Sequence, residues 1–344
     1  MKPLFLYLSA KWRICRLPDC YTAANAYFCV MNTYPWGDNR PYNAYARFFR
    51  EKFGTRAQKV AIDAGFTCPN RDGSKGVGGC DFCNNQSFNP SYCEPNKSIT
   101  QQIEEGIAFH QWRYKKAQHY LAYFQAQTNT YGETEVLLQK YHEALNHPAI
   151  NGLVIGTRPD CLPDHLLSAL QKLSENHFVH LEIGIESIYD ETLLAVNRGH
   201  NFAAAVDALK RARKHRLTTG AHFIFGLPGE TRQMMLDSVH VISALPLTTV
   251  KFHQLQILKG TRFESMYAEN PSRFELFGFE EYVEFIITFL ERLNPAFVVE
   301  RFAGEVPPRF QAAPGWSMIR NEQVVSTIEK RLIEKNTWQG RLFK

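Results

Sequence analysis

The chain has 344 residues, of which 44% are hydrophobic and 21% are charged, and its formal net charge is +5. This is the composition of an ordinary globular protein. No apolar run approaches the roughly 20 residues that a membrane-spanning helix needs, which excludes a transmembrane protein from the expected classes. The mild positive charge is compatible with nucleic-acid binding but does not indicate it, because nucleic-acid-binding domains usually show clustered Lys and Arg.

Residues 1–33 are expected to form a poorly structured extension, or to precede the true start of the protein at Met31. The apolar stretch Pro3–Ala10 follows a single lysine, so a secretion signal is not favoured. Eight cysteines occur in the chain, at positions 15, 20, 29, 68, 80, 83, 93 and 161. Without a convincing secretion signal, grouped cysteines favour metal binding over disulfides, and a cytoplasmic location is expected.

Residues 34–262 are predicted to form the core, because short β-branched segments alternate there with longer amphipathic segments. The predicted strands are Lys59–Ala64, His119–Ala126, Gly152–Thr157, Phe178–Ile185, Thr219–Phe225 and Thr248–Leu255. The predicted helices lie near residues 99–117, 133–147, 163–175, 201–215 and 230–244. Strands that alternate with helices predict a parallel sheet, and hence an α/β fold with a partial (β/α)6 barrel.

Residues 263–344 are less regular and are predicted to form a C-terminal α/β extension packed on the barrel. Phe279–Leu293 and Glu322–Lys335 have the pattern of helices, and Ala296–Phe302 has the pattern of a strand. No linker separates this segment from the core.

Three cysteines form a C-x11-C-x2-C motif directly after the first predicted strand. They are Cys68, Cys80 and Cys83. The backbone between them includes Gly76, Gly78 and Gly79, which allow it to fold closely around a metal centre. The carboxyl end of a strand is the rim where parallel α/β barrels build their sites, so this position favours a functional site.

Thiolate ligands suit either an iron–sulfur cluster or zinc. A closed zinc site requires four ligands, and Cys93 could supply the fourth. A [4Fe–4S] cluster with one open iron requires only three. Cys93 and Cys161 could also ligate a second cluster, although isolated cysteines are more often buried small apolar residues.

The fourth predicted strand, HLEIGIES, alternates polar or small residues with apolar ones, so one face of the strand is polar. The residues of that face are His180, Glu182, Gly184 and Glu186. Their side chains should point into the barrel, where a carboxylate without a partner is costly. Each Glu could pair with Arg158 or Lys251, or could bind ribose hydroxyls. The fifth strand repeats the pattern with His222, Ile224 and Gly226 inward.

Several segments together resemble the radical S-adenosylmethionine (SAM) superfamily, in the branch that includes the Elongator catalytic subunit and oxygen-independent coproporphyrinogen oxidase. In chain order they are AGFTCPNRDG, GGCDFC, LAYFQAQTNTY, GTRPDCLPD, NRGHNF, FIFGLPGET, GWSMIRNE and WQGRLFK. The resemblance runs from about Tyr34 to the C-terminus. The eleven-residue gap departs from the family's usual C-x3-C-x2-C motif, but it is the spacing of one bacterial subgroup.

The resemblance implies that Cys68, Cys80 and Cys83 bind a [4Fe–4S] cluster whose remaining iron binds SAM. The implied SAM contacts are Phe82 against the adenine, Gln127, Thr128 and Asn129 near the amino group, Arg158 at the carboxylate, Glu182 and Glu186 at the ribose, and Ile224 with Gly226 at the adenine edge. In this family the reduced cluster cleaves SAM to a 5′-deoxyadenosyl radical, which abstracts a hydrogen atom from the substrate.

Some members of the bacterial subgroup are linked to maturation of the tRNA wobble uridine, where a carboxymethylaminomethyl side chain becomes aminomethyl. The resemblance therefore implies tRNA as a partner, with a reducing electron donor such as flavodoxin or ferredoxin. Lys251 and His253 on the sixth strand are the candidate substrate contacts. Two alternatives stay open: a radical SAM enzyme acting on a small metabolite or protein, and a non-catalytic zinc-binding barrel.

Two further segments are interpreted as structural features and not as parts of the catalytic machinery. The basic run 210–216 closes a helix, where cations favour the negative end of the dipole, and it is predicted to be a solvated helix end rather than an RNA contact. Asn197–His200 is predicted to form a turn near the SAM site, with an indirect role.

Overall fold

The computed structural model describes residues 34–111, 118–316 and 319–344. The predicted N-terminal extension, with Cys15, Cys20, Cys29 and Met31, lies outside the described residues. The strands are β1 (Ala57–Ile62), β2 (His119–Phe124), β3 (Ile150–Thr157), β4 (Phe178–Glu186), β5 (Thr218–Phe225), β6 (Thr249–Gln254) and β7 (Val298–Arg301). The helices are α1 (Tyr45–Phe53), α2 (Ile99–Gln111), α3 (Thr134–Leu145), α4 (Asp164–Ser174), α5 (Asp190–Ala195), α6 (Phe202–Lys214), α7 (Arg232–Ser243), α8 (Arg262–Glu269), α9 (Phe279–Leu290) and α10 (Asn321–Glu334).

The seven strands form one parallel sheet in the order β1 to β7. The predicted α/β half-barrel is confirmed, with one difference in its extent. β7 comes from the segment that we expected to pack on the barrel, and it instead hydrogen-bonds to β6 and continues the sheet. The sheet therefore crosses residue 262, and the division of the chain at that residue stays a prediction.

Ion pairs connect the two edge strands of the sheet. The ammonium of Lys59 on β1 lies 2.9 Å from the carboxylate of Glu300 on β7. Ala44, just before α1, also forms a parallel bridge with Val299 of β7. Because β1 and β7 stand at opposite edges, these contacts require a sheet that curves until its edges approach each other.

The main core fills the space between the outer face of the sheet and the helices. It contains Leu181, Ile183 and Ile185 of β4 together with Phe223 and Phe225 of β5, as the alternation predicted. The residues between them face the concave side, because successive side chains of a strand point to opposite faces. No helix within the described ranges is long and apolar enough to cross a membrane.

A second, smaller core closes the barrel near the amino ends of the strands. Phe49 of α1 packs there against Leu121, Tyr123, Val154 and Phe178. Helix α1 was not predicted, because its sequence YARFFREKF mixes aromatic and basic residues over only 9 positions. Its aromatic residues are explained by the barrel interior that they cover, so the cavity of the barrel is left open at the carboxyl ends of the strands.

Candidate active site

A cleft opens at the carboxyl edge of the sheet, and every strand or the loop that follows it contributes to the lining. Its volume is about 1300 Å³, including the part that is open to solvent. Most of the residues predicted for the site line this cleft: Cys68, Cys80, Phe82, Cys83, Gln127, Thr128, Arg158, Glu182, Glu186, Ile224, Lys251 and His253. The fold thus brings the three cysteines and the polar strand ends to one place.

The loop between Cys68 and Cys80 folds back on itself through close backbone approaches. A Cβ at Gly76 would lie 2.5 Å from the side chain of Asn70, and Gly79 has a φ of +92°. Asn70 in turn donates hydrogen bonds to the carbonyl of Asn197 at 2.5 Å and to the sulfur of Cys80 at 3.6 Å. The glycines are therefore required because the loop passes tightly around a side chain that holds Cys80 in place.

Arg198 is the principal site residue that the sequence did not reveal. Its guanidinium donates to the sulfur of Cys80 at 3.4 Å and to the carbonyl of Gly184 at 2.7 Å, and it lies 3.2 Å from the carboxylate of Glu186. Burial disfavours the charged form, but the adjacent Cys80 and Glu186 outweigh burial and raise the pKa of Arg198. Asn197–His200 was predicted as a turn near the SAM site with an indirect role, yet its Arg198 places a permanent cation beside a thiol.

The thiol of Cys83 requires a neighbouring positive charge in order to ionise. Burial, together with the adjacent Cys80, raises the pKa of Cys83 to about 11, so this thiol is protonated at neutral pH unless a cation binds it. Metal ligation supplies such a cation, because the thiolate is the form that coordinates metals. Three cysteines that line one cleft, with a guanidinium beside them, therefore suit a metal–sulfur centre.

Several buried polar atoms around the cleft have no hydrogen-bond partner among the described residues. They include Oε1 of Gln127, Nη1 of Arg158, Nε of Arg198, Nε2 of His222 and Nε2 of His253. Leaving such atoms unpaired costs about 1–3 kcal/mol each, so their concentration in one cleft indicates a polar ligand. Gln127 and Glu186 also have positive φ values, of 63° and 72°, a strained conformation that clusters at functional sites.

Glu186 and two histidines form the wall of the cleft at β4–β6. The carboxylate of Glu186 lies 3.0 Å from Nδ1 of His222, and the rings of His222 and His253 meet edge to face with centroids 4.3 Å apart. Burial opposes ionisation of Glu186, but His222 and Arg198 lower its pKa below the usual value. Burial, His222 and Arg301 hold the pKa of His253 well below its usual range. This wall therefore presents a carboxylate and a neutral imidazole.

Comparison with known families identifies the family to which the chain belongs. The Radical SAM superfamily model matches residues 68–242, from the first cysteine of the motif to the end of α7, which is half of the chain. A Radical_SAM C-terminal domain model matches residues 247–334. The chain belongs to the radical SAM superfamily. It is a radical SAM enzyme, and the cofactors of this family are a [4Fe–4S] cluster and SAM.

The relatives of this radical SAM chain match between about half and nine tenths of its length. It is 34% identical to protein YtqA of Bacillus subtilis over 316 residues, which is 91% of this chain and 96% of YtqA. It is 25% identical over 173 residues to the tRNA uridine(34) acetyltransferase of Methanocaldococcus infernus, covering 49% of this chain and 31% of that enzyme. The structure of archaeal Elp3 from M. infernus has the same fold, with a TM-score of 0.62, 17% identity, and coverage of 82% of this chain and 64% of the other.

Two predicted SAM contacts of the radical SAM site do not reach the cleft. Asn129 is fully buried, and its amide donates to the carbonyls of Phe124 at 3.0 Å and Gly156 at 2.9 Å, so it ties the ends of β2 and β3 together. Gly226 faces Leu255 and Phe277 instead of the cleft. Counting in steps of two along β5 placed Gly226 inward, but the strand ends at Phe225 and the chain turns there.

Glu182 occupies a different environment from the one predicted by the radical SAM resemblance. Its carboxylate accepts hydrogen bonds from Lys251 at 2.5 Å, Lys59 at 2.9 Å and the hydroxyl of Tyr123 at 2.6 Å. Burial alone would raise the pKa of Glu182, but Lys251 and Lys59 reverse the shift and hold it well below the usual value. Pairing with Lys251, the alternative to a ribose contact, is the arrangement that the fold adopts.

The other two cysteines of the described ranges, Cys93 and Cys161, do not complete a zinc site. Cys93 packs in the main core and does not line the cleft. Within the described ranges, no three His, Cys, Asp or Glu side chains are placed to hold a single metal ion. A four-iron cluster distributes its thiolates over separate iron atoms, so it requires a wider arrangement than one ion does. Cys161 lies outside the cleft in a second pocket near Asp160.

Proposed function

We propose that Cys68, Cys80 and Cys83 ligate the [4Fe–4S] cluster and that SAM binds beside them in the same cleft. The observation that carries this proposal is the convergence of three thiols and the unpartnered polar atoms of Gln127 and Arg158 on one cavity. The two cofactors supply the radical chemistry, and the protein supplies binding, orientation and exclusion of water.

The side chains around the cysteines match the parts of SAM by charge and polarity. Arg158 binds Asp160 through Nε at 2.9 Å and Nη2 at 3.0 Å, which leaves Nη1 for the SAM carboxylate. Gln127 and Thr128 are assigned to the amino group, and Glu186 to the ribose. Phe82 and Ile224, at the edge of a carboxyl-end apolar cluster, are assigned to the adenine.

The test is 5′-deoxyadenosine formation by protein reconstituted without oxygen and supplied with iron, sulfide, dithionite and SAM. Cys68→Ala, Cys80→Ala and Cys83→Ala should each lose the product and the bound iron. Cys93→Ala is the matched control, since this thiol is buried outside the cleft, and it should keep both. Zinc without iron in the wild-type protein, or full activity in any of the three variants, would refute the assignment.

We also propose that the substrate is the 5-substituent of a tRNA wobble uridine, with conversion of carboxymethylaminomethyl to aminomethyl. The support is the similarity over 173 residues to an enzyme named tRNA uridine(34) acetyltransferase, together with the net charge of +5. The reducing equivalent would come from a flavodoxin or a ferredoxin. Lys251 hydrogen-bonds to Glu182, so His253 is the better placed of the two predicted substrate contacts.

Mass spectrometry of total tRNA tests the substrate. A strain without this gene should accumulate the carboxymethylaminomethyl nucleoside, and the wild-type gene should restore the aminomethyl form, whereas the Cys80→Ala gene should not. An unchanged wobble-uridine profile would favour a small metabolite or a protein as the substrate. That result would leave the cluster assignment intact, since 5′-deoxyadenosine formation is measured independently.

A further inference from the structure

Arg301 reaches the cleft because of an irregularity in the last strand. The pairing of β6 with β7 shifts register between Val250 and Lys251, so Lys251 pairs with Arg301 and Glu300 is the extra residue. A bulge of this kind changes the direction of a side chain and is common beside active sites. The consequence is that Glu300 contacts Lys59 and Lys251 inside the barrel while the next residue, Arg301, lines the cleft.

The other cations of the cleft hydrogen-bond to protein groups. Arg71 donates to the carbonyl of Cys83 at 2.8 Å, and Arg158 to the carboxylate of Asp160. Arg198 and Lys251 contact Glu186 and Glu182. Across the described part of the chain, the guanidinium of Arg301 makes no hydrogen bond or ion pair with a protein group.

The side chains around Arg301 favour the binding of an anion. His253, which Arg301 influences electrostatically, carries an unpartnered Nε2, and so does the adjacent His222. Gly304 lies against the imidazole of His253, where a Cβ would come within 2.6 Å of Nδ1. Gln254 forms two hydrogen bonds with the backbone of Gly304, which fixes the segment after β7 against β6. The chain after β7 is thus fixed against His253, and the cleft beside Arg301 contains two ring nitrogens that have no partner among the described residues.

We infer that Arg301, with His253 of the neighbouring strand β6, binds an anionic group of the substrate, either a carboxylate or a phosphate. Guanidinium groups bind both of these through paired hydrogen bonds. This inference rests on the proposed function, in which the wobble-uridine substituent carries a carboxylate and the nucleotide carries a phosphate. Arg301 is a substrate-binding residue on the side of the cleft formed by β6 and β7, and the cysteines follow β1.

The experiment measures equilibrium binding to the cluster-reconstituted, SAM-loaded enzyme without reductant, so that no turnover occurs. The three probes are 5-carboxymethylaminomethyluridine, 5-aminomethyluridine and uridine 5′-monophosphate, titrated by calorimetry. Arg301→Gln should weaken binding of the probe whose anion it contacts by about 10- to 100-fold. Arg301→Lys should recover part of the loss, because the charge is retained without the planar fork. Arg309→Gln, an exposed arginine on the same segment outside the cleft, is the matched control and should bind like wild type.

A loss confined to the carboxymethylaminomethyl nucleoside identifies the carboxylate as the ligand, and a loss confined to the monophosphate identifies the phosphate. Equal binding by wild type and Arg301→Gln for all three probes, including no binding at all, would overturn the inference. Loss of all three probes with a lowered melting temperature would also overturn it, by assigning Arg301 a structural role. Failure of the proposed substrate appears separately, as an unchanged wobble-uridine profile of total tRNA, and failure of the cluster assignment as absence of 5′-deoxyadenosine in the wild-type assay.

Discussion

The buried charged side chains of the cleft form two groups, one around Glu182 and one around Glu186. The groups differ in whether their polar atoms all have hydrogen-bond partners in the protein. Around Glu182, two lysines and a tyrosine occupy both carboxylate oxygens, so this group is satisfied without a ligand. In the group around Glu186, Nε of Arg198 and Nε2 of His222 have no hydrogen-bond partner among the described residues. Because an unpartnered buried donor costs more than a hydrogen bond gains, the second group is the one that a bound molecule completes.

Replacement of Arg198 by Ala should weaken the metal centre. The change removes the donor to the sulfur of Cys80 and one cation beside Glu186, both of which are buried. We expect less iron per chain after reconstitution, and a free energy of unfolding about 2 kcal/mol lower than that of wild type. Iron analysis and urea denaturation measure the two effects. Arg211→Ala, on the surface of α6, should change neither iron content nor SAM binding, and equal iron in both variants would contradict the assignment.

At the scale of single elements, glycines control how closely neighbouring strands approach. A Cβ at Gly152, at the start of the pairing of β3 with β4, would lie 2.3 Å from the carbonyl oxygen of Phe178. A backbone atom cannot move aside as a flexible side chain can. A Cβ at Gly220 on β5 would meet side-chain atoms instead, at 2.3 Å from Oγ1 of Thr249 and 2.7 Å from Nε2 of His180. The spacing of these strands therefore depends on the absence of a side chain at specific positions.

Gly152→Ala should destabilise the protein by about 2 kcal/mol or more, because the strands must separate to accommodate the methyl group. Gly132→Ala is the control, since a Cβ there would meet only Leu137 at an ordinary 3.7 Å. Chemical denaturation of both variants beside wild type measures the difference. A Gly152 variant as stable as the Gly132 variant would show that the strands adjust without cost.

At the scale of the whole molecule, charge contacts join the edges of the open sheet. Lys59 of β1 and Lys251 of β6 both contact Glu300 of β7, and both also contact Glu182 of β4. Two buried lysines thus balance two buried glutamates across the barrel. The last residues of the basic run lie at the amino edge, since α6 ends at Lys214 before β5 begins, whereas Arg211 donates to Leu162 and Asp164, which follow β3.

Glu300→Gln should lower the free energy of unfolding by about 3 kcal/mol, because it leaves two buried ammonium groups with one carboxylate. Combining Glu300→Leu with Lys59→Met restores the balance of charge, with Lys251 still paired to Glu182. The double variant should therefore be more stable than Glu300→Gln. Urea denaturation of the single and double variants measures the coupling, and purely additive losses would contradict a closed charge network.

The local pattern of apolar and polar residues was sufficient to predict most of the fold and the position of the cysteines. The predicted strand boundaries agree within a few residues from β1 to β7, because burial imposes a period of 2 on strands, whereas the short helices α1, α5 and α8 were not predicted. The same alternation placed Glu186 and His222 inward, and the end of β1 located Cys68 at the functional rim. These properties depend on neighbouring residues and are therefore written into short segments of the chain.

Only the tertiary structure decided which inward-facing side chains pair with other protein groups and which have polar atoms without a partner. Glu182 pairs with Lys59 of β1 because the sheet curves, and no local pattern predicts that curvature. Arg198 meets Cys80 across a separation of 118 residues, and β7 joins the sheet through a bulge that turns Arg301 into the cleft. Such contacts are set by long-range packing, where the partner of a charge depends on the path of the whole backbone. The sequence by itself determined the family, the fold and the position of the cysteine motif, and the three-dimensional arrangement determined which charged side chains pair with one another.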